Sequence, residues 1–329
     1  MLIRLEKMKM LISETKKSDN GTQVNSCFCV KSRNPSKSYS KGFVFNLILV
    51  DKSGEIALAY WGRSNEDAVR AVHDSVNEDD VVYVSGKVGE YRGKKIDVNE
   101  GYGEIRPATP EEYDIDDFIV TTNQNVDDMW NEILETKELF ENTHLKNLLN
   151  NFFSDSVFVD NFKKAPAASF IHHACVGGLL EHTWEVLRYC KAVAEVHPSL
   201  DKSLLFTGAI LHDMGKIEAY DVSMRIKVSK KGMLIGHINI GTELILDKIS
   251  QMSSFPPLLK EKLIHMILSH HGKMEYGAAI EPKLPEAAAL YRADEMGAKI
   301  SQYVRTKKDA ETDNFSSRWN KYTGSLFLK

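Results

Sequence analysis

The sequence predicts a multi-domain protein of α and β structure, in which a small N-terminal β-barrel precedes an all-α domain with an inserted β-hairpin. Three observations support this prediction. The chain has 329 residues, which is more than one hydrophobic core usually holds. Its first third contains short apolar runs separated by turn sequences, as in strands. After residue 129 apolar residues recur at helical spacing, so the fold class changes along the chain.

The barrel is expected over residues 20–110, after an N-terminal extension of residues 1–19. Its strands are predicted from the apolar runs at 43–50, 56–61 and 81–86. Turn-forming sequences stand at 51–54 and 91–94. The stretch 64–75 could form the helix that an OB-fold places between its third and fourth strands, so we expect an OB-like barrel.

An acidic linker is predicted over residues 111–128. This stretch has seven acidic residues and no Lys or Arg, and such like-charged stretches are usually solvated connections. The all-α domain is then expected over residues 129–329. Within it, alternating apolar residues predict a β-hairpin over residues 221–235.

Composition limits the classes of protein that the chain can belong to. A formal net charge of -4 excludes a uniformly basic nucleic-acid-coating protein, although a local basic groove is still compatible with it. The sequence has no apolar stretch of the roughly 18 residues that a membrane span needs. The four cysteines form neither a CxxC pair nor a disulfide-dense pattern, which favours a reducing compartment and a cytoplasmic location.

Seven histidine and aspartate side chains in the second half of the chain are candidate metal ligands. They are the adjacent pair His212 and Asp213, together with His182, His237, His270, His271 and Asp294. This mixed nitrogen and oxygen set suits Mn²⁺, Fe²⁺, Co²⁺ or Zn²⁺ better than the all-oxygen shell of Mg²⁺. A carboxylate next to an imidazole can bind one ion and bridge to another, so the set predicts a two-metal hydrolase.

Each of these histidines alone could be an ordinary packed or surface residue. Together they are harder to explain in that way. His212 and Asp213 follow the apolar run 204–211, and Gly215 is expected to end that helix. Two polar groups therefore arrive at the end of a buried helix, where they need partners that a metal can provide.

The order of these residues resembles that of the HD-domain metallophosphohydrolases. The sequences at 170–174, 177–182, 236–238 and 269–272 resemble more narrowly the YhaM-type 3′-to-5′ exoribonucleases, in which an OB-fold domain precedes an HD domain. The resemblance is dense from about residue 165 to residue 300. Before residue 110 only the strand pattern supports it.

The resemblance implies a role for each candidate. One ion would be bound by His182, His212, Asp213 and Asp294, and the other by Asp213, His237, His270 and His271. Asp213 would then be a bridging, catalytic residue. Mn²⁺ is the first choice of metal, with Fe²⁺, Co²⁺, Zn²⁺ and Mg²⁺ as alternatives.

Three more residues near these positions are candidates for contact with substrate. Lys216 lies one turn beyond His212 and could neutralise phosphate charge during catalysis, although it could equally be a solvent-facing lysine at a helix end. His172 and His173 could touch a substrate phosphate or serve only in packing or capping.

A nucleic-acid surface is predicted on the barrel. The stretch 21–50 has four basic residues and no acidic residue. The candidate contacts are Lys31, Arg33, Lys37, Lys41, Phe43 and Phe45, with Arg92 on a second edge. Basic groups can follow the phosphates of a single strand while aromatic rings stack on its bases. Aromatic residues in strands are more often part of the core, however.

These expectations combine into one functional hypothesis and two alternatives. The hypothesis is a metal-dependent 3′-to-5′ exoribonuclease that hydrolyses single-stranded RNA to nucleoside 5′-monophosphates, with activity on single-stranded DNA left open. Its direction and its preference for RNA come from the resemblance alone. The alternatives are an HD-domain phosphohydrolase of small nucleotides and a non-catalytic single-strand-binding protein. Whether the protein forms a homo-oligomer is left open.

Overall fold

The computed structural model describes residues 9–63, 65–168, 175–309, 316, 319 and 323–328. The chain divides into two compact units, of which the first consists mainly of residues up to 120 and the second mainly of the residues from 121 onward. The first unit is a β-barrel and the second is helical. The predicted fold class, an OB-like barrel followed by a helical domain with an inserted hairpin, is confirmed.

The first unit is built on one closed sheet. Its strands are β1 (Gln23–Arg33), β2 (Lys37–Tyr39), β3 (Gly42–Asp51), β4 (Gly54–Trp61), β5 (Val81–Glu90), β6 (Lys94–Asn99) and β7 (Glu104–Pro107). Five of them close the barrel in the order β1, β3, β4, β6, β5 and back to β1. Only the β4 and β6 pair in this ring is parallel. This is the five-stranded topology of the OB-fold.

Two short helices accompany the barrel. Helix α1 (Ile12–Lys17) begins where the Asp51 carboxylate accepts a hydrogen bond from the Ile12 amide at 2.6 Å. Helix α2 (Glu66–Asp74) lies between β4 and β5, and Asn65 caps it by accepting from Ala68 N. Its Val69 joins the barrel core, which fixes the helix against the strands.

The stretch predicted as a solvated acidic linker is partly buried, so that interpretation was wrong in part. Short 3-10 turns form at Pro110–Glu112 and Ile115–Asp117. Asp117 and Phe118 are both buried, and Lys9 and Lys52 pair with the Asp117 carboxylate. The first helix of the second unit begins at Val126, three residues before the predicted domain start.

Helices α3 to α12 form the second unit. They are α3 (Val126–Glu138), α4 (Thr143–Phe153), α5 (Ser156–Lys164), α6 (Gly178–Val196), α7 (Lys202–Leu211), α8 (Lys216–Ala219), α9 (Lys230–Ile235), α10 (His237–Ser250), α11 (Pro257–Ser269) and α12 (Pro285–Asp309). Helix α7 is the centre of the unit, because every residue from Ser203 to Leu211 is buried. It contacts α3, α4, α6, α11 and α12. A helix that is apolar on all sides is stable only in such a position.

The inserted hairpin is shorter than predicted. Strands β8 (Tyr220–Val222) and β9 (Ile226–Val228) pair antiparallel, but the residues after them form α9 instead of continuing the hairpin. Ser229 ends the extended segment because its hydroxyl caps α9 by accepting from Gly232 N at 2.9 Å. Among the described residues, no helix combines the length and apolar character that crossing a membrane requires.

Candidate metal centre

The helical unit brings all seven candidate ligands together. His182 lies on α6, His212 and Asp213 follow the end of α7, and His237 begins α10. His270 and His271 directly follow α11, and Asp294 lies on α12. Ends of buried helices therefore supply most of the set, as expected for polar groups that must leave an apolar helix and still find partners.

Asp213 is the centre of the cluster, and its two carboxylate oxygens face different groups. Oδ2 lies 3.3 Å from His182 Nε2 and 3.4 Å from His212 Nε2. Oδ1 lies 3.3 Å from His237 Nε2 and 3.6 Å from His270 Nε2. Each oxygen thus belongs to its own set of imidazoles.

Two compact donor sets result. His182, His212 and Asp213 form one, and Asp213, His237, His270 and His271 form the other, with the ligand atoms of each set within 4.8 Å of one another. Asp294 extends the first set, because its Oδ1 lies 3.1 Å from His182 Nε2. Asp213 is the residue that both sets share.

Backbone carbonyls orient three of the imidazoles. The Nδ1 atoms of His212, His270 and His271 lie 2.9, 2.7 and 2.9 Å from the carbonyl oxygens of Ala209, Ile267 and Tyr276. A carbonyl only accepts, so each Nδ1 must carry the proton and donate it. Each Nε2 then presents a lone pair to the cluster, which is the arrangement that metal-binding histidines show.

Burial keeps several of these imidazoles neutral. It lowers the pKa of His237 to about 3 and that of His271 to about 4. Burial would also lower the pKa of His182, but hydrogen bonds from its ring to Asp213 and Asp294 outweigh burial and raise that pKa to about 9. Neutral imidazoles and ionised carboxylates are the forms that bind metal, so His182 would have to give up a proton when an ion binds.

Unsatisfied buried atoms test whether these residues fit metal ions. Among the described residues, Asp213 Oδ1, His237 Nε2 and His270 Nε2 are buried without a hydrogen-bond partner. Buried polar atoms without partners are rare and costly. The two imidazole atoms meet the carboxylate oxygen at 3.3 and 3.6 Å, where a cation would satisfy all three. The donor set therefore fits a divalent ion.

Lys216 faces Asp213 in the structure. Its Nζ lies 2.6 Å from Asp213 Oδ2, and its side chain is only 12% exposed, so it is not the solvent-facing lysine of the alternative interpretation. Burial would lower the pKa of Lys216, but the carboxylate of Asp213 raises it. The ammonium group therefore stays charged beside the cluster.

Gly215 differs from its predicted role. Its φ of -63° is right-handed, so it does not end α7 by a left-handed turn. A Cβ at this position would overlap the carbonyl oxygen of His237 and lie 2.5 Å from the amide nitrogen of Gly241. Glycine is required here because α10 approaches the backbone closely, and this approach positions His237.

The basic candidates on the barrel are divided by the structure. Lys31 pairs with Glu55, and the guanidinium of Arg33 donates to the carbonyls of His73 and Val76, each at 3.0 Å. Arg33 is thus engaged in holding the end of α2. Lys37 and Lys41 are exposed.

The aromatic candidates are less suited to stacking on bases than predicted. Phe45 is fully buried, with its ring stacked on Tyr60 at a centroid distance of 4.9 Å, so its assignment as a base contact was wrong. Phe43 is half-buried and packs against the same core. Arg92 is exposed in the β5–β6 turn, with its guanidinium 5.5 Å from the centre of the Tyr91 ring. His172 and His173 lie outside the described residues.

Sequence reasoning missed the backbone groups of the centre. The carbonyls of Ala209, Ile267 and Tyr276 orient three of the candidate ligands, and Gly236 precedes His237 with a left-handed φ of 79°. Carbonyl groups carry no side-chain signal, so their role depends on the turn geometry after each helix. Gly236 could have been found as the glycine immediately before a candidate ligand.

Comparison with known proteins agrees with this architecture. Residues 179–299 match the HD domain family, and residues 30–103 match a family described as an OB-fold nucleic acid binding domain. The chain is 30% identical over 315 residues to a protein of Halalkalibacterium halodurans named 3′-5′ exoribonuclease YhaM, covering 94% of this chain and 93% of that protein.

Relatives from other bacteria carry the same name. A Listeria welshimeri protein is 32% identical over 295 residues, covering 86% of this chain and 89% of the relative. A Bacillus subtilis protein is 30% identical over 304 residues, covering 91% and 92% respectively. Similarity of this extent over both units shows that the chain belongs to the YhaM family, whose named members are 3′-5′ exoribonucleases.

Proposed function

We propose that this protein is a metal-dependent 3′-to-5′ exoribonuclease that hydrolyses single-stranded RNA to nucleoside 5′-monophosphates. One observation carries the proposal: Asp213 presents one carboxylate oxygen to each of two imidazole sets. The names of the relatives support the direction of degradation and the substrate. Activity on single-stranded DNA is part of the same proposal.

The proposed ligands follow the two donor sets. His182, His212, Asp213 and Asp294 would bind one ion, and Asp213, His237, His270 and His271 the other. When bound, a pair of divalent ions activates water and stabilises both the attacking and the leaving oxygen of a phosphodiester. The mixed nitrogen and oxygen donor set supports Mn²⁺ over an ion that prefers only oxygen.

The chain's own charges prepare the site for an anionic substrate. The ammonium group of Lys216 is held by Asp213 Oδ2 at 2.6 Å and is nearly buried. A fixed positive charge in a site with little water stabilises developing phosphate charge without first having to reorient. The neutral imidazoles of His237 and His271 add no repulsion between ligands. A cytoplasmic location, favoured by the cysteine spacing, belongs to the same proposal.

A 5′-labelled oligoribonucleotide tests this function directly. With Mn²⁺ we expect a ladder of products that shorten by one nucleotide at a time, and with chelator no products. Each nucleotide released from the 3′ end should be a nucleoside 5′-monophosphate, which chromatography identifies. Rapid turnover of small nucleotides with no ladder would favour the HD phosphohydrolase alternative. Binding without any hydrolysis in Mn²⁺ would favour the single-strand-binding alternative.

Lys216→Met is expected to slow hydrolysis while the protein keeps its metal. Methionine preserves the buried chain length but removes the charge, so we expect kcat to fall by about 10²-fold or more, as when one preorganised electrostatic contact is lost. Lys216→Arg keeps a positive charge and should recover part of the rate. Steady-state kinetics with parallel metal analysis make the measurement. Unchanged kcat in Lys216→Met would show that this ammonium only balances the charge of Asp213.

A further inference from the structure

A cavity on the barrel unit is lined by aromatic rings and basic side chains. Its volume is about 470 Å³, which is within the roughly 300–1,000 Å³ of small-molecule sites. Its rings come from Tyr39, Trp61 and Tyr102, and its cations from Lys41, Arg63 and Lys87. Of the three cations, only Lys41 is one of the basic residues that the sequence predicts as nucleic-acid contacts.

Two of the rings are held in place before any ligand binds. The Tyr39 hydroxyl donates to the carbonyl of Gly62 at 3.3 Å, and its ring meets Trp61 edge to face at 5.2 Å. The indole Nε1 of Trp61 donates to Asp97 Oδ1 at 2.6 Å. The third ring of the lining, Tyr102, is 86% exposed. A preorganised aromatic wall with an open ring beside it is suited to an unstacked base.

The charges of the lining favour an anionic ligand. Asp97 is already paired with Lys95 at 2.8 Å, and Glu100 accepts from the backbone amide of Arg63 at 2.6 Å. By contrast, none of Lys41, Arg63 and Lys87 forms an ion pair with any residue that the structure describes. The lining therefore offers three cations without an ion-pair partner in the described part of the chain against two acidic groups, of which Asp97 is already paired with a lysine.

We propose that this cavity binds one unstacked nucleotide of a single-stranded RNA, with its base against the rings and its flanking phosphates near Lys41, Arg63 and Lys87. The inference deepens the proposed function and rests on it for the choice of RNA. The expected RNA contacts are therefore no longer Lys31, Arg33 and Phe45. Lys31 is in an ion pair, Arg33 holds the end of α2, and Phe45 is part of the core. A single strand supplies a partner for both kinds of group in the lining: its bases can stack on the rings, and its phosphates can pair with the cations.

The ring prediction uses a matched pair of exposed tyrosines. Tyr102→Ala is expected to weaken binding of a labelled oligouridylate of about 12 nucleotides by about 5- to 100-fold, the effect of losing one base stack. Tyr91 is 70% exposed on the same unit but does not line the cavity, so Tyr91→Ala should bind as the unmodified protein does. Fluorescence anisotropy of the full chain in chelator measures binding without hydrolysis. Equal weakening by both variants would overturn the inference.

The charge prediction uses salt dependence. Each phosphate contact to a single strand contributes about -0.7 to the slope of log affinity against log salt, so Arg63→Gln with Lys87→Gln should flatten that slope by about 1.4. Lys16→Gln with Lys17→Gln removes the same charge from exposed positions at the end of α1 and should leave the slope unchanged. An unchanged slope in the Arg63 and Lys87 variant, with circular dichroism showing a folded protein, would overturn the inference.

A free nucleotide is the other ligand with this chemistry. Titration with uridine 5′-monophosphate separates the two sources. The cavity is a small-nucleotide site, and the inference is wrong, if Tyr102→Ala weakens binding of the mononucleotide while the cavity variants leave the affinity for oligouridylate unchanged. These binding measurements are made in chelator, where no hydrolysis is expected. A negative result for RNA binding in the cavity is therefore distinguishable from a negative result for the proposed hydrolysis.

Discussion

Asp213→Asn is expected to lower RNA hydrolysis by about 10³-fold or more, the scale on which losing a central catalytic group acts. Asparagine keeps the size of the side chain but replaces the charged carboxylate with a neutral carboxamide, in which an NH2 group stands in place of one oxygen. Both imidazole sets then lose their shared anionic ligand, because each set uses a different oxygen of Asp213. Turnover of a labelled oligoribonucleotide and elemental metal analysis of the purified variant measure the two effects.

The control for this variant must separate lost chemistry from lost folding. Asp213 is buried against Lys216 at 2.6 Å, and removing one partner of a buried pair costs about 3–5 kcal/mol. The double variant Asp213→Asn with Lys216→Met removes both charges and should recover most of that loss in thermal unfolding. It should remain inactive. Asp160→Asn, on the exposed side of α5, controls for a simple carboxylate replacement.

Full metal content with normal turnover in Asp213→Asn would contradict the shared-ligand assignment. Loss of turnover with both ions still bound would point instead to a role for the carboxylate in positioning water or Lys216. The two outcomes are separate because metal content is measured without reference to activity.

The cluster of candidate metal ligands was predictable because its residues lie at positions where an apolar helix cannot easily tolerate them. His212 and Asp213 end the helix that is most deeply buried in the unit, and His270 ends another. Polar groups placed there must converge on partners, and the sequence alone indicates that much. What it could not indicate is which carboxylate oxygen faces which imidazole, because that depends on the turns after α7 and α11.

The barrel surface was harder to predict, for two physical reasons. Phe43 and Phe45 are two residues apart and share one face of β3, but spacing does not tell which face is interior. The structure turns Phe45 into the core. Tyr39, Trp61 and Tyr102 come from distant parts of the sequence and meet because β2, β3, β4 and β6 lie side by side in the sheet. Pairing between strands so far apart along the chain leaves no local pattern in the sequence.

Gly215→Ala should destabilise the protein by about 1–3 kcal/mol or more, the cost of forcing extra atoms into a packed interior. The backbone conformation at Gly215 suits alanine, since its φ of -63° is right-handed. Steric overlap is therefore the only source of the effect: the new Cβ would meet the His237 carbonyl oxygen and lie 2.5 Å from Gly241 N. Both are backbone atoms of α10, so the start of that helix has to move.

Displacing the start of α10 should also carry His237 away from Asp213, so Gly215→Ala is expected to lose metal as well as thermal stability. Gly297→Ala is the matched control, because a Cβ at this position of α12 would have its nearest neighbour, Tyr189 Cε2, at 3.4 Å, an ordinary van der Waals distance. Alanine there should be neutral or stabilise the protein by up to about 1 kcal/mol. If thermal unfolding and metal content of Gly215→Ala match those of the unmodified protein, the close approach of α10 is not what positions His237.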